Sequence, residues 1–140
     1  MRYWDASALV PLCVDEGDTI ATRRLAVGSI VTWSVSAVEI ASAIERRRRE
    51  GNLDAAGRAA ARAALSDLSA AWTEISALGP VRERALRLVA THALRAADAM
   101  QLAAALVAAF DRPNGHEFVC ADARLRDAAA REGFDVLPKD

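Results

Sequence analysis

An α/β fold, with a mostly parallel sheet of about four to five strands flanked by helices, is what this 140-residue sequence predicts. Two observations carry the prediction. Short β-prone runs alternate with longer helical ones from end to end. No internal repeat or low-complexity linker interrupts that alternation, and the length suits a single domain over residues 1–140. Apolar residues make up 53%, much of it Ala, so the core is expected to rely on close helix packing.

The elements follow in order. Arg2–Trp4 reads as the first strand and Ala6–Val14 as a short apolar helix, with Asp15–Ala26 as a second helix. Ser29–Trp33 is strongly β-prone and is closed by Ser34 and Ser36. Ala37–Glu50 is a long helix stopped by Gly51-Asn52, and Leu53 and Asp54 lead into an Ala-rich helix reaching about Ala70. Trp72–Ile75 is the third strand; Pro80–His92 is helical, entered through Gly79-Pro80. Ala97–Phe110 is the most apolar helix, and Asp111–His116 is a turn centred on Pro113-Asn114-Gly115. Glu117–Cys120 is a strand, Ala123–Arg131 a helix, and Phe134–Leu137 a last strand after Gly133.

Composition removes several function classes. The formal net charge is −1 and Lys139 is the only lysine, so there is no global basic signal for nucleic acid and a polyanion site must be a local patch. Cys13 and Cys120 lie far apart in apolar contexts, which suits buried reduced thiols rather than a disulfide. His92 and His116 are isolated, giving zinc no support. No apolar run reaches membrane-spanning length free of charge and no leader-like segment opens the chain, so a soluble, cytoplasmic protein without a membrane partner is expected.

Asp5, Glu39, Asp98 and Asp122 are the candidate chemical groups. Each has an ordinary structural role open to it. Asp5 and Asp122 can cap the helices they precede, and Asp98 can meet the favourable end of a helix dipole. Ser36-Ala37-Val38-Glu39 has the form of a capping box, with Glu39 reaching back to the Ser36 N–H. Their placement in the fold adds a collective role. Asp5, Glu39 and Asp122 each closely follow a strand, and the helix starting near Asp98 feeds the strand at Glu117, so a parallel sheet returns all four to one edge. Charges about 4 Å apart repel by roughly 4 kcal/mol at an effective dielectric near 20. Mg²⁺ or Mn²⁺, hard and oxygen-seeking, would resolve that conflict.

Other chemistries fit poorly. A phosphoacceptor receiver needs an acid pair after the first strand and a late lysine in the sheet, and a haloacid-dehalogenase-like phosphatase needs Asp-x-Asp where this chain has Asp5-Ala6-Ser7. Neither a glycine-rich phosphate loop nor a Ser/His/Asp set is visible.

Four segments then carry a resemblance: Tyr3-Trp4-Asp5-Ala6-Ser7-Ala8-Leu9-Val10, Ser34 through Ile44 around Glu39, Leu94 through Ala103 around Asp98, and Phe118 through Leu125 around Asp122. In order and spacing the chain resembles the PIN-domain ribonucleases, and within them the VapC-type toxins of toxin–antitoxin pairs. The resemblance spans nearly the whole chain and implies a PIN-like three-layer fold. It implies metal ligation by Asp5, Asp98 and Asp122, with Glu39 completing the acidic pocket and Ser7 as the small polar residue beside the first acid. One departure is Cys120, where many members carry Thr or Ser. It further implies RNA as substrate, a homodimer, and a small antitoxin that blocks the pocket.

The expected function is therefore a Mg²⁺-dependent endoribonuclease toxin, Mn²⁺ being a possible substitute, in which one ion sits between Asp5 and Asp98. The alternative is a PIN-like binding module with weak catalysis that acts through its antitoxin at promoter DNA. A non-nuclease phosphotransfer enzyme lacks a nucleotide-binding loop. Arg46-Arg47-Arg48-Arg49 is open to two readings, a solvated helix end matched to the dipole or a phosphate contact. Trp4, Trp33 and Trp72 are expected in the core.

Overall fold

The computed structural model describes residues 1–15 and 19–139. The strands are β1 (Arg2–Trp4), β2 (Val31–Trp33), β3 (Thr73–Ile75), β4 (Glu117–Val119) and β5 (Asp135–Leu137). The helices are α1 (Ala6–Cys13), α2 (Ile20–Arg24), α3 (Ser36–Arg49), α4 (Ala55–Ala71), α5 (Leu78–Thr91), α6 (Ala96–Ala108) and α7 (Ala123–Glu132). The strands form one sheet in the order β3-β2-β1-β4-β5, and every pairing is parallel. This is the expected α/β architecture, with helices on both faces, consistent with a PIN-like three-layer arrangement.

Side chains alternate across each strand, so neighbours enter different cores. Tyr3 and Phe118 face α5, α6 and α7 and meet Leu88, Leu102 and Leu125 there. Trp4 and Val119 face α1, α3 and α4 and meet Leu9, Ile40 and Leu65. Tyr3 stacks on Phe118 with ring centroids 5.3 Å apart, and Phe118 meets Phe134 at 5.6 Å. Burying each such ring contributes roughly 1.5–3 kcal/mol. All three tryptophans are buried, as expected. α6 is buried at most positions from Ala99 to Leu106, and its alanines let the helix lie close to the sheet.

Two expectations need correction. The helix expected over Asp15–Ala26 is confined to Ile20–Arg24; residues 16–18 lie outside the described residues. α2 buries none of its residues and has no side-chain cap, so little tertiary packing supports a longer helix. The capping box at Ser36–Glu39 does not form: α3 begins at Ser36, its N-cap is Val35, and no side chain caps it. Ser36 is instead wholly buried, its hydroxyl bonded to Thr32 and Gln101. Both cysteines are free thiols, Cys120 buried and Cys13 half-buried. Among the described residues, no helix is long and apolar enough to cross a membrane.

Candidate active site

Strand order decides where a site can form. Chain connections leave central β1 toward β2 on one side, while β4 lies on the other, so the carboxyl ends of β1 and β4 flank a topological switch point. Trp4 pairs with Val119 at that edge, and the Asp5 N–H donates to the Val119 carbonyl at 3.0 Å. Asp5, 3% exposed, follows β1 directly at this edge. It is the N-cap of α1, its carboxylate accepting from the Ser7 N–H at 3.2 Å. The Ser7 hydroxyl makes a short hydrogen bond to the same Oδ2, and the Cys120 thiol reaches that oxygen at 3.5 Å. All three donors engage Oδ2. Trp4 Nε1 is the lone buried side-chain polar atom without a partner among the described residues, so the unbonded Oδ1 of Asp5 meets solvent.

Glu39 rises from the first turn of α3 and is aimed by a residue distant in sequence. Gln101 of α6, fully buried, donates from Nε2 to Glu39 Oε1 at 3.1 Å and to the Ser36 hydroxyl at 2.9 Å. Its own carbonyl oxygen accepts from the Tyr3 hydroxyl at 2.6 Å. Thr32 completes the network, with its hydroxyl 2.7 Å from both the Trp4 carbonyl and Ser36 Oγ. Tyr3, Thr32, Ser36 and Gln101 thus each find a partner in this wedge between sheet and helices, and the Gln101 hydrogen bond holds Glu39 by Oε1.

Asp98, in the first turn of α6, lines an opening of about 610 Å³ together with Ser7, Glu39, Arg46, Arg47 and Arg95. It also lines an adjoining opening of about 320 Å³ with Asp122 and Arg124. Asp122 caps α7, accepting from the Leu125 N–H at 3.1 Å. The fold thus brings Asp5, Glu39, Asp98 and Asp122 to one edge, with Asp98 as the link, and Asp5 and Asp122 keep their capping roles there.

The charges sense one another. Burial lifts the Asp5 carboxyl to about 6 against the hydrogen bonds from Ser7 and Cys120, and Asp98 adds repulsion. Burial lifts Glu39 to about 7; the Gln101 hydrogen bond opposes this, and Asp5 and Asp98 reinforce it. Asp98 is raised by burial and then by Asp122, with Arg95 pulling the other way. Paired carboxylates with raised values serve proton transfer near neutral pH or the binding of a cation.

Among the described residues, no three His, Cys, Asp or Glu side chains converge into a ready-made metal group. The donor chemistry nevertheless suits a hard divalent ion: four carboxylates, a solvent-facing Asp5 Oδ1, and mutual repulsion that a cation would relieve. Gln101 and Thr32 belong to the site without any sequence motif that marks them, while Cys120, the departure from the family pattern, is the thiol that reaches Asp5. Gln101 follows Asp98 by three residues, one helical turn along the same face, and that spacing was the available signal. Arg95 and Arg124 each stand close to an acid motif, yet single arginines in an Arg-rich chain carry no pattern. No family model matches the chain, and no curated protein resembles it closely enough to count as a match.

Proposed function

We propose that this chain is a metal-dependent endoribonuclease of the PIN type, a VapC-like toxin restrained by a cognate antitoxin. The observation that supports this best is the electrostatic linkage of four acids at the switch point of a parallel sheet. Asp5, Asp98 and Asp122 would hold Mg²⁺ or Mn²⁺, with Glu39 and Ser7 in support. The bound ion supplies an acidified water and neutralises charge on the phosphoryl oxygens.

The protein's own groups do the rest. Ser7 and Cys120 occupy Asp5 Oδ2, leaving Oδ1 for ligation. Gln101 holds Glu39 Oε1, so Oε2 is the atom positioned to accept a proton, and a value near 7 suits that exchange at neutral pH. Arg95 offsets part of the charge around Asp98 as a polyanion approaches. A homodimer and a small antitoxin covering the acids belong to the same reading, as does promoter autoregulation through that antitoxin.

Incubation of structured RNA with the purified protein tests the proposal. Cleavage should require Mg²⁺ or Mn²⁺ and stop on chelation. Asp98→Asn, which removes charge and preserves shape, should abolish cleavage with an unchanged circular dichroism spectrum. Full activity in that variant at matched purity sinks the assignment. RNA bound by the wild type without cleavage in either metal would favour the binding-module alternative.

A further inference from the structure

Tyr3 takes no part in the proposed chemistry. Its side chain, wholly buried on the central strand β1, nevertheless ends a run of hydrogen bonds that reaches Glu39. The direction of each bond follows from counting protons. The single Thr32 hydroxyl proton goes to the Trp4 carbonyl at 2.7 Å, so across the 2.7 Å contact with Ser36 it is Ser36 that donates. With that proton used, Ser36 Oγ can only accept from Gln101, 2.9 Å away, and a carboxylate at Glu39 also accepts, at 3.1 Å. The two protons on Gln101 Nε2 meet both needs. The amide oxygen is then held by one donor, the Tyr3 hydroxyl, at 2.6 Å.

We infer that Tyr3 is a positioning residue for Glu39: its hydroxyl proton selects the face of the Gln101 amide that meets the carboxylate. The effect on rate rests on the nuclease reading above and deepens it. Without that proton the two faces of the amide lose their distinction. In one, the carbonyl oxygen is buried with no donor; in the other, it faces the Glu39 carboxylate and repels it. Tyr3 is well placed to hold the choice. It pairs with Val31 and Phe118 in the strands on either side, and its ring stacks on Phe118 at 5.3 Å, so the hydroxyl is carried by the middle of the sheet and not by a loop. A tyrosine with a purely structural role needs a partner for its hydroxyl, but not a partner that also holds an acid.

Tyr3→Phe removes the hydroxyl and keeps the ring. In RNA cleavage with Mg²⁺, kcat should fall about tenfold while KM stays within about twofold, because Glu39 is misaimed and the other acids are untouched. In the Gln101→Leu background the same change should lower kcat by less than about twofold further, its route being already cut. Phe134→Leu, which loosens the same core beside Phe118, should lower the melting temperature and leave kcat unchanged. A Tyr3→Phe kcat equal to wild type at matched folded fraction overturns the inference, as does an undiminished tenfold loss in the Gln101→Leu background. A second readout needs neither RNA nor a Tyr3 variant. Tyr3 is the only tyrosine of the chain, so tyrosine labelled with carbon-13 at Cζ gives one phenolic signal. That signal should move on Glu39→Gln, and should cease to respond to it once Gln101→Leu is present. A signal that ignores Glu39→Gln in the otherwise wild-type protein overturns the link. Wild type that cleaves nothing removes the nuclease reading and leaves this signal to judge the link, whereas cleavage indifferent to Tyr3→Phe keeps the enzyme and loses the inference.

Discussion

Asp5 and Glu39 are ionisable groups that burial and neighbours hold above their ordinary values of 3.8 and 4.5, at about 6 and about 7. The folded protein keeps these protons over a range where the unfolded chain has released them. Their contribution to stability is therefore complete below the unfolded values and is lost as pH rises through 6 and then 7. Asp111 and Glu132, whose values are lowered by Arg84 and Arg87, act in the opposite sense, but only at more acid pH. In metal-free buffer, urea unfolding should show roughly 1–3 kcal/mol less stability at about pH 8 than at about pH 5. Asp5→Asn should flatten that difference, and added Mg²⁺ should restore stability at the higher pH. A rise in stability with pH over this window would contradict the assignment. Gln101→Leu leaves the Tyr3 hydroxyl and Ser36 with lost partners in the core and should cost about 2–4 kcal/mol in the same measurement. It should also reduce cleavage by freeing Glu39. The acids were legible in the sequence because each borders a strand or opens a helix. Gln101 was not, because its partners Tyr3, Ser36 and Glu39 are distant in sequence and meet it through the fold.

Helix and strand signals divide according to how local their causes are. The strands at Arg2–Trp4 and Glu117–Val119 were visible because aromatic and β-branched residues cluster there, and burial on both faces rewards those residues. The ends of α4 and α7 were equally visible. Asp54 caps α4 by accepting from the Gly57 N–H at 2.7 Å, and Gly133 ends α7 with φ +113°. A methyl group at Gly133 would lie 3.1 Å from both Asn114 Oδ1 and Pro113 Cγ, in a backbone conformation that L-residues resist. Gly133→Ala is expected to lower the melting temperature, with a loss of about 1–2 kcal/mol. Where the sequence misled, a local pattern met a stronger distant partner. Ser36 and Glu39 have the spacing of a capping box, yet Thr32 and Gln101 claim the hydroxyl and Gln101 claims the carboxylate. The second helix had suitable residues over Asp15–Ala26 but no face to bury.

For the whole molecule, protection should follow depth. Hydrogen exchange is expected to be slowest at the amides of Leu102–Leu106, packed in the middle of α6, and fast across Ile20–Arg24, where nothing is buried. Uniform protection across both would argue against the layered core described above. Strand order has a further consequence for how the protein comes into being. The central strand is made before the other four, but one of its partners, β4, lies 115 residues on: Arg2 sits beside Glu117. The sheet closes through this long separation, so folding is expected to be slow and to await the later part of the chain. Until β4 has left the ribosome, Asp5 has neither Cys120 nor the neighbouring edge that carries Asp122. A half-made chain thus lacks the assembled site, and the acids come together only after most of these residues have been translated.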